Sequence, residues 1–232
     1  MKMKWLLLFL VCATNSLYPL MHIKALFSSK IVSKPVVHES LNAELWQALE
    51  KRDNAALKNL LSQKAIPNVN CFRNNTTPLI YACANDLHGI AQTLISAGAD
   101  INKRDNKLGW TALMWATWME HVKIIKLLYK ANPDLNAQDR YGKTALMWAV
   151  NYNKIKIITF LAAAGADTTI KNSQSNSTAI EYASTENKDA IEKAIAAGKE
   201  QRHLYLLSLQ KKLQKKNGNS ISAVSKMITI NE

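Results

Sequence analysis

Thr111-Ala112-Leu113-Met114-Trp115-Ala116 and Thr144-Ala145-Leu146-Met147-Trp148-Ala149 are the same six residues written twice. Two looser versions flank them, Thr77-Pro78-Leu79-Ile80-Tyr81-Ala82 and Thr178-Ala179-Ile180-Glu181-Tyr182-Ala183. The closing alanines lie 34, 33 and 34 residues apart. A further step of 34 back from Ala82 lands on Ala48, inside Leu45-Trp46-Gln47-Ala48-Leu49, a fifth and degenerate copy. A fixed period of this length is the signature of a repeat architecture.

A second apolar patch follows each alanine: Leu57, Leu60 and Leu61; then Ile90, Ala91, Leu94 and Ile95; then Ile124, Ile125, Leu127 and Leu128; then Ile157, Ile158, Phe160 and Leu161. These spacings suit one face of a short helix. The clearest copies stop in Ala97-Gly98-Ala99-Asp100 and Ala164-Gly165-Ala166-Asp167, where Gly98 and Gly165 can take the left-handed geometry that closes a helix. Each copy therefore holds two helices too short to stand alone, each with a face that only a neighbouring copy can cover. The end copies must act as caps. Glu181 and Glu192 stand where inner copies have Met147 and Ile158, which fits an end that faces water or a following segment.

Thr-Pro/Ala-Leu-x-x-Ala, a second apolar helix and Gly-Ala-Asp-x-Asn at this period resemble the ankyrin repeat. Gly98 to Asp105 (GADINKRD) and Asp139 to Leu146 (DRYGKTAL) are similar to that family's hairpin and lead-in turn. The resemblance covers about residues 41–198, with copies at 41–76, 77–110, 111–143, 144–177 and 178–198. It implies an all-α solenoid of stacked helix–turn–helix units with hairpin-like turns. The family's His in the Thr-Pro-Leu-His box is replaced by Ile80, Met114, Met147 and Glu181, so the Thr–His bonding of that turn is expected to be absent, with apolar packing in its place.

The resemblance also implies a protein partner, bound where hairpin tips and first helices form a concave surface. Positions that differ between copies are the candidates: Trp118, Met119, Asn151, Tyr152 and Asn153 after the first helices, and Arg104, Lys107, Leu108, Trp110, Arg140 and Tyr141 at the hairpins. Trp, Tyr, Arg and Met are enriched at interface hot spots. Trp115 and Trp148 lie inside the repeated box and read as packing residues. Trp110, Trp118 and Tyr152 are open between interior and interface. Lys123, Lys126, Lys154 and Lys156 on the second helices read as a solvated face.

The two ends carry most of the charge. The chain has 232 residues and a net charge of +13, with five basic and one acidic residue in 1–40, 18 and 14 in 41–198, and seven and two in 199–232. Met1-Lys2-Met3-Lys4 followed by Trp5 to Ala13 (WLLLFLVCA) has the shape of a secretory signal peptide, with cleavage near Ser16. The alternative is an uncleaved anchor over residues 5–21. Residues 17–40 read as a linker. Residues 199–216 (KEQRHLYLLSLQKKLQKK) read as a basic amphipathic helix, either a cap over the last repeat or a contact for an anionic membrane surface. Residues 217–232 read as a tail.

No sequence feature carries chemistry. There is no Gly-rich phosphate loop, no G-x-S-x-G and no H-E-x-x-H. His22, His38, His88, His121 and His203 lack a second ligand at helical metal spacing; His88 and His121 read as turn residues. Asp100, Asp134, Asp139 and Asp167 recur in hairpin turns and form no carboxylate pair. Cys12, Cys71 and Cys83 lack CxxC spacing, and a Cys71–Cys83 bridge is open if the chain is exported. Gly and Pro number only 7 and 5, which excludes a turn-dominated β architecture. We expect an exported, monomeric, non-enzymatic adaptor without cofactors; the alternative is a membrane-associated structural protein. Nucleic-acid binding through the basic ends lacks any base-reading motif.

Overall fold

The computed structural model describes residues 36–63 and 76–216. The leader, the Ser16 cleavage point, Cys71 and the tail at 217–232 lie outside the described residues.

The described chain is a run of helix pairs. The first pair is α1 (Val36–Glu50) and α2 (Asn54–Ser62), the second α3 (Pro78–Ala84) and α4 (His88–Ser96). The third is α5 (Ala112–Trp118) and α6 (Val122–Lys130), the fourth α7 (Ala145–Asn151) and α8 (Ile155–Ala164). A 3-10 turn (Ala179–Tyr182) and the long α9 (Lys188–Lys216) make the last. Each first helix packs on the next first helix, and the second helices follow one another in the same way, α6 and α8 meeting through Tyr129 and Phe160 with ring centroids 5.5 Å apart. The core is one continuous cluster running from Leu45 to Ala194.

One local device recurs in the turn between paired helices. The N–H groups of Asp53, Leu87, His121 and Lys154 donate to Ala48, Ala82, Ala116 and Ala149 carbonyls at 2.9, 2.9, 2.9 and 2.8 Å. The residue before each donor, Arg52, Asp86, Glu120 or Asn153, has φ of 56, 55, 63 or 53°. This is a left-handed helix closure of the Schellman type, in four copies. It makes Ala48 the structural equivalent of the other box alanines, so the degenerate fifth copy is real. The second helices close the same way at Gly98 and Gly165, and Asn132 (φ 59°) takes the glycine's place in the third copy.

Each first helix begins at its threonine. Thr77, Thr111 and Thr144 hydroxyl oxygens accept from the N–H groups of Ile80, Met114 and Met147 at 3.2, 3.4 and 3.3 Å, satisfying a donor that the helix leaves orphaned. Ile80, Met114 and Met147 are themselves buried, so the threonines cap the backbone alone and apolar packing fills the place of the family's histidine. In the last copy Glu181 reaches back to accept from the Thr178 N–H at 2.6 Å. The glutamate that interrupts the apolar box thus serves as a cap.

The two ends differ from the boundaries read in the sequence. Helix α1 starts at Val36 rather than at 41. At the other end no break falls at Gly198: the last repeat's second helix and the basic segment are one helix, α9. Gly198 sits where α9 crosses α8. A Cβ there would stand 2.5 Å from the Thr159 carbonyl oxygen and 2.6 Å from Ala162 Cβ. The glycine, a poor helix former, marks close helix packing and not a terminus. One turn later the Arg202 guanidinium donates to the Ala164 carbonyl at 2.6 Å, filling the left-handed corner at Gly165. Leu206 is buried, while Leu204 and Tyr205 are exposed. This half of α9 closes the end of the stack.

Candidate functional site

The hairpins that join successive helix pairs are tied to one another side by side. Asn102 and Asn136 side-chain oxygens accept the Asp134 and Asp167 N–H groups of the next hairpin, both at 2.8 Å. At the tips, the Arg140 N–H donates to Leu108 carbonyl and the Ser173 N–H to Tyr141 carbonyl. The Gln138 side chain bridges to the Lys171 carbonyl at 3.1 Å. The Arg140 guanidinium donates to the Asn106 carbonyl.

Two buried aspartates organise these tips. Asp105 Oδ1 accepts three backbone N–H groups, those of Lys107, Leu108 and Gly109. Its other oxygen accepts the Trp115 indole N–H at 2.8 Å. Asp139 repeats the arrangement one unit on: Oδ1 accepts from Tyr141 and Lys143 N–H groups, and Oδ2 from Trp148. The carboxylate thus folds its own hairpin and fixes the ring on the first helix that follows it. In the last copy Asn172 is buried at the equivalent place and bonds Ser175 and Ser177.

Rings therefore line up along the first helices. Tyr81, Trp115, Trp148 and Tyr182 occupy one position in successive repeats, all half-buried. From Trp115 to Tyr182 the space between consecutive rings is filled by the residue just before a lead-in threonine. Trp110 lies between Trp115 and Trp148, with ring centroids at 5.0 and 4.8 Å. Lys143 lies between Trp148 and Tyr182, its ammonium 4.5 and 4.3 Å from their centroids. Trp118 adds edge contacts to Trp110 and Trp115, and Tyr152 stacks on Trp148 with planes 14° apart.

The structure sorts the residues singled out in the sequence. Trp118 (37% exposed), Tyr141 (40%) and Tyr152 (45%) are large hydrophobic groups left open to solvent. Arg104, Lys107, Arg140, Asn151 and Asn153 are exposed; Met119 and Leu108 are half-buried. Trp110 is a correction: at 4% exposure, with its indole N–H bonded to Asp139 at 3.0 Å, it is an interior residue and offers no contact area. Its place at a hairpin suggested a surface, but the gap between two column rings draws it inside. Lys154 is also more than a solvated lysine, since it pairs with Glu120 of the preceding repeat at 2.5 Å. Of the turn histidines, His121 packs against the Ala84 carbonyl at 3.2 Å, while His88 is exposed at the start of α4.

Tyr81, Tyr182, Lys143 and Asp105 were missed as members of this site. The signal for the rings was available, because Tyr and Trp precede the box alanine in four copies. Lys143 and Asp105 become visible only once the hairpin folds over the ring.

The family model for ankyrin repeats (3 copies) matches residues 45–139 and 105–172, more than half of the chain. The chain belongs to the ankyrin-repeat family. Over 106 residues, 44% of this chain, it is 34% identical to ankyrin repeat and SAM domain-containing protein 6 of Rattus norvegicus. It is 35% identical to the Mus musculus protein of that name over the same length. The match spans 12% of the length of each relative. An ankyrin stack is a protein–protein interaction module, and the family is typically a non-catalytic scaffold. Among the described residues no group of His, Cys, Asp and Glu could hold a metal ion, and no helix is long and apolar enough to cross a membrane.

Proposed function

We propose that this chain is an exported ankyrin-repeat adaptor that holds a protein partner on its concave face, across the hairpin tips and first helices of the third to fifth repeats. The observation that carries the reading is the array of rings along the first helices. Trp118, Trp115, Trp148, Tyr152 and Tyr182 run through three repeats, and Trp118, Tyr141 and Tyr152 keep more than a third of their surface in water. Rigid aromatic groups give contact area at low entropic cost, and exposed rings in a group mark an interaction site. Export rests on Lys2, Lys4 and the uncharged run from Trp5 to Ala13.

The test uses tagged full-length protein in its own cells. Mass spectrometry reads its N-terminus in each cell fraction, and cross-linking maps the residues that touch co-purifying proteins. A chain starting near residue 17, outside the cytoplasm, with cross-links at the Trp118–Tyr152 face that vanish in Trp118→Ala/Tyr152→Ala, is the expected result. An intact Met1 in the membrane fraction, with no cross-link on that face, overturns it and favours the anchored structural protein.

A further inference from the structure

We propose that the partner segment seated on this face is an acidic polypeptide, with carboxylates that land on the hairpin cations and apolar groups that lie on the rings between them. The inference rests on the reading of the face given above and deepens it.

The face is built from two kinds of surface. The first helices α3, α5 and α7 contain no charged residue at all. The hairpins beside them carry Lys103, Arg104, Lys107, Arg140, Lys143 and Lys171. Acids occur in the same hairpins, but they are spent. Asp105 and Asp139 are buried, and their oxygens accept backbone and indole N–H groups. Asp100, Asp134 and Asp167 lie at the other end of each hairpin, beside the preceding second helix, where each accepts the N–H two residues on. Asp167 is held below the ordinary carboxylate range by its bonds from Thr169, with Lys199 of α9 adding to the effect. The exposed Glu181 is engaged with the Thr178 N–H.

Among the described residues the ion pairs are Lys154–Glu120 and His121–Asp86, both away from these tips. Among the described residues, no carboxylate thus pairs with the six hairpin cations. Unneutralised cations in a row raise the local anion concentration and steer an acidic partner. Lys143 shows how such a contact is prepared. Its ammonium is held against the Trp148 and Tyr182 rings, so a carboxylate meeting it arrives on an aromatic floor.

A nucleic acid would need flat ring faces for its bases to stack on. Here the tryptophans spend their faces on one another, on Tyr152 and on Lys143, which leaves Tyr141 and Tyr152 as the open rings. Trp110, Trp115 and Trp118 meet edge to face, and Trp148 has Tyr152 stacked on it and Lys143 over it. The exposed cations are also few and spaced by repeats, unlike a continuous phosphate track. An acidic polypeptide is the polyanion that fits.

The test is a titration of tryptophan fluorescence in the full-length chain with a synthetic peptide of repeated Glu-Glu-Leu triplets. Gln-Gln-Leu repeats and an oligouridylate of equal length serve as comparisons. The acidic peptide is expected to bind saturably, and to weaken roughly tenfold between about 50 and 300 mM salt. Arg104→Glu/Lys107→Glu/Lys171→Glu should weaken it by about tenfold more, and Lys143→Gln by less. The same swap at Lys123, Lys126 and Lys156, on exposed second-helix positions, should leave it unchanged, and circular dichroism checks that all variants keep their helices. Equal binding of the uncharged peptide, equal or tighter binding of the oligouridylate, or equal loss on the second-helix swap overturns the proposal. A natural partner that still cross-links to the Trp118–Tyr152 face of the hairpin charge-swap variant would retain the interaction site and remove only its acidic preference.

Discussion

The indole N–H of Trp110 donates to Asp139 Oδ2 at 3.0 Å, joining the end of one repeat's lead-in to the hairpin of the next. The same oxygen accepts the Trp148 indole at 3.0 Å, so a single buried carboxylate latches two repeats together. Nearest-neighbour contacts of this kind set the stability of a solenoid, because each repeat touches only those beside it.

Replacing Asp139 by Asn tests the latch. Both carboxylate oxygens accept two donors each, so an amide in either orientation puts its NH2 against two N–H groups that are buried or partly buried. We expect a loss of about 2–4 kcal/mol, since buried donors left unpaired cost roughly 1–3 kcal/mol each. Asp105→Asn should cost about half as much. Its amide nitrogen can take the Oδ2 side, where only Trp115 donates, and leave the three backbone donors on oxygen. Urea denaturation followed by circular dichroism ranks the two variants. Equal losses would mean that the indole latch contributes nothing across the repeat boundary.

Trp110 and Trp118 touch each other yet should respond differently to truncation. Trp110→Ala opens a cavity in the interior and removes one of the two indole donors to Asp139 Oδ2, at a cost of about 3–5 kcal/mol. Trp118→Ala removes a ring that is 37% exposed and held by two edge contacts, at about 1–2 kcal/mol. Thermal melts of the two variants check the order. A Trp118→Ala protein that melts as early as Trp110→Ala would place Trp118 in the packing and not on the binding face.

The period of the alanines carried the fold, because the repeats bury their faces in one another and the apolar pattern must return every 33 or 34 residues. Gly98 and Gly165 were legible for a related reason: helix closure needs a left-handed residue, and glycine supplies it without strain. The same closure at Arg52 and Glu120 was hidden, since nothing in those side chains announces a positive φ. Two readings failed at places where a neighbouring element decides. Trp110 was drawn into a gap whose walls, Trp115 and Trp148, belong to successive repeats. The boundary drawn between residues 198 and 199 falls inside one helix, because Gly198 is where α9 packs closely on α8. The exposed Trp118, Tyr141 and Tyr152 could be named from the sequence, and the box position of Tyr81 and Tyr182 pointed to them as well. Lys143 could not, because only the folded hairpin lays it over the rings.

Cys83 gives a pH-dependent prediction. The residue is fully buried, and burial pushes its thiol well above the ordinary value of 9.0. The unfolded thiol then loses its proton at a lower pH than the folded one. Stability from this residue is complete below the ordinary value and falls as pH rises through it, because the unfolded state is the one that ionises. In a Cys12→Ser/Cys71→Ser background, Cys83 should resist an aromatic disulfide reagent in the folded protein and react once urea unfolds it. The alkaline slope of stability should be steeper with Cys83 than with Cys83→Ala, a comparison that cancels the lysines and tyrosines. Identical slopes, or fast labelling of the folded chain, would refute the prediction.

Gly198→Leu asks whether α9 is an integral cap. The backbone of α9 approaches α8 so closely at Gly198 that even a Cβ meets Thr159, Ala162 and Ala163 within 3 Å. A leucine must push the helices apart, which breaks the Arg202 bond to the Ala164 carbonyl and uncovers Leu206. Overpacking of this kind typically costs about 1–3 kcal/mol. Loss of a cap exposes the last repeat's apolar face, so the damage should start at this end and spread inward. Hydrogen exchange resolves the direction: amides of α8 and α9 should lose protection first, those of α3 and α4 last. Ala196→Leu, at an exposed position on the same helix, should leave protection unchanged. If Gly198→Leu exchanges like the parent protein, α9 is not held by this contact, and the end of the stack is closed by something else.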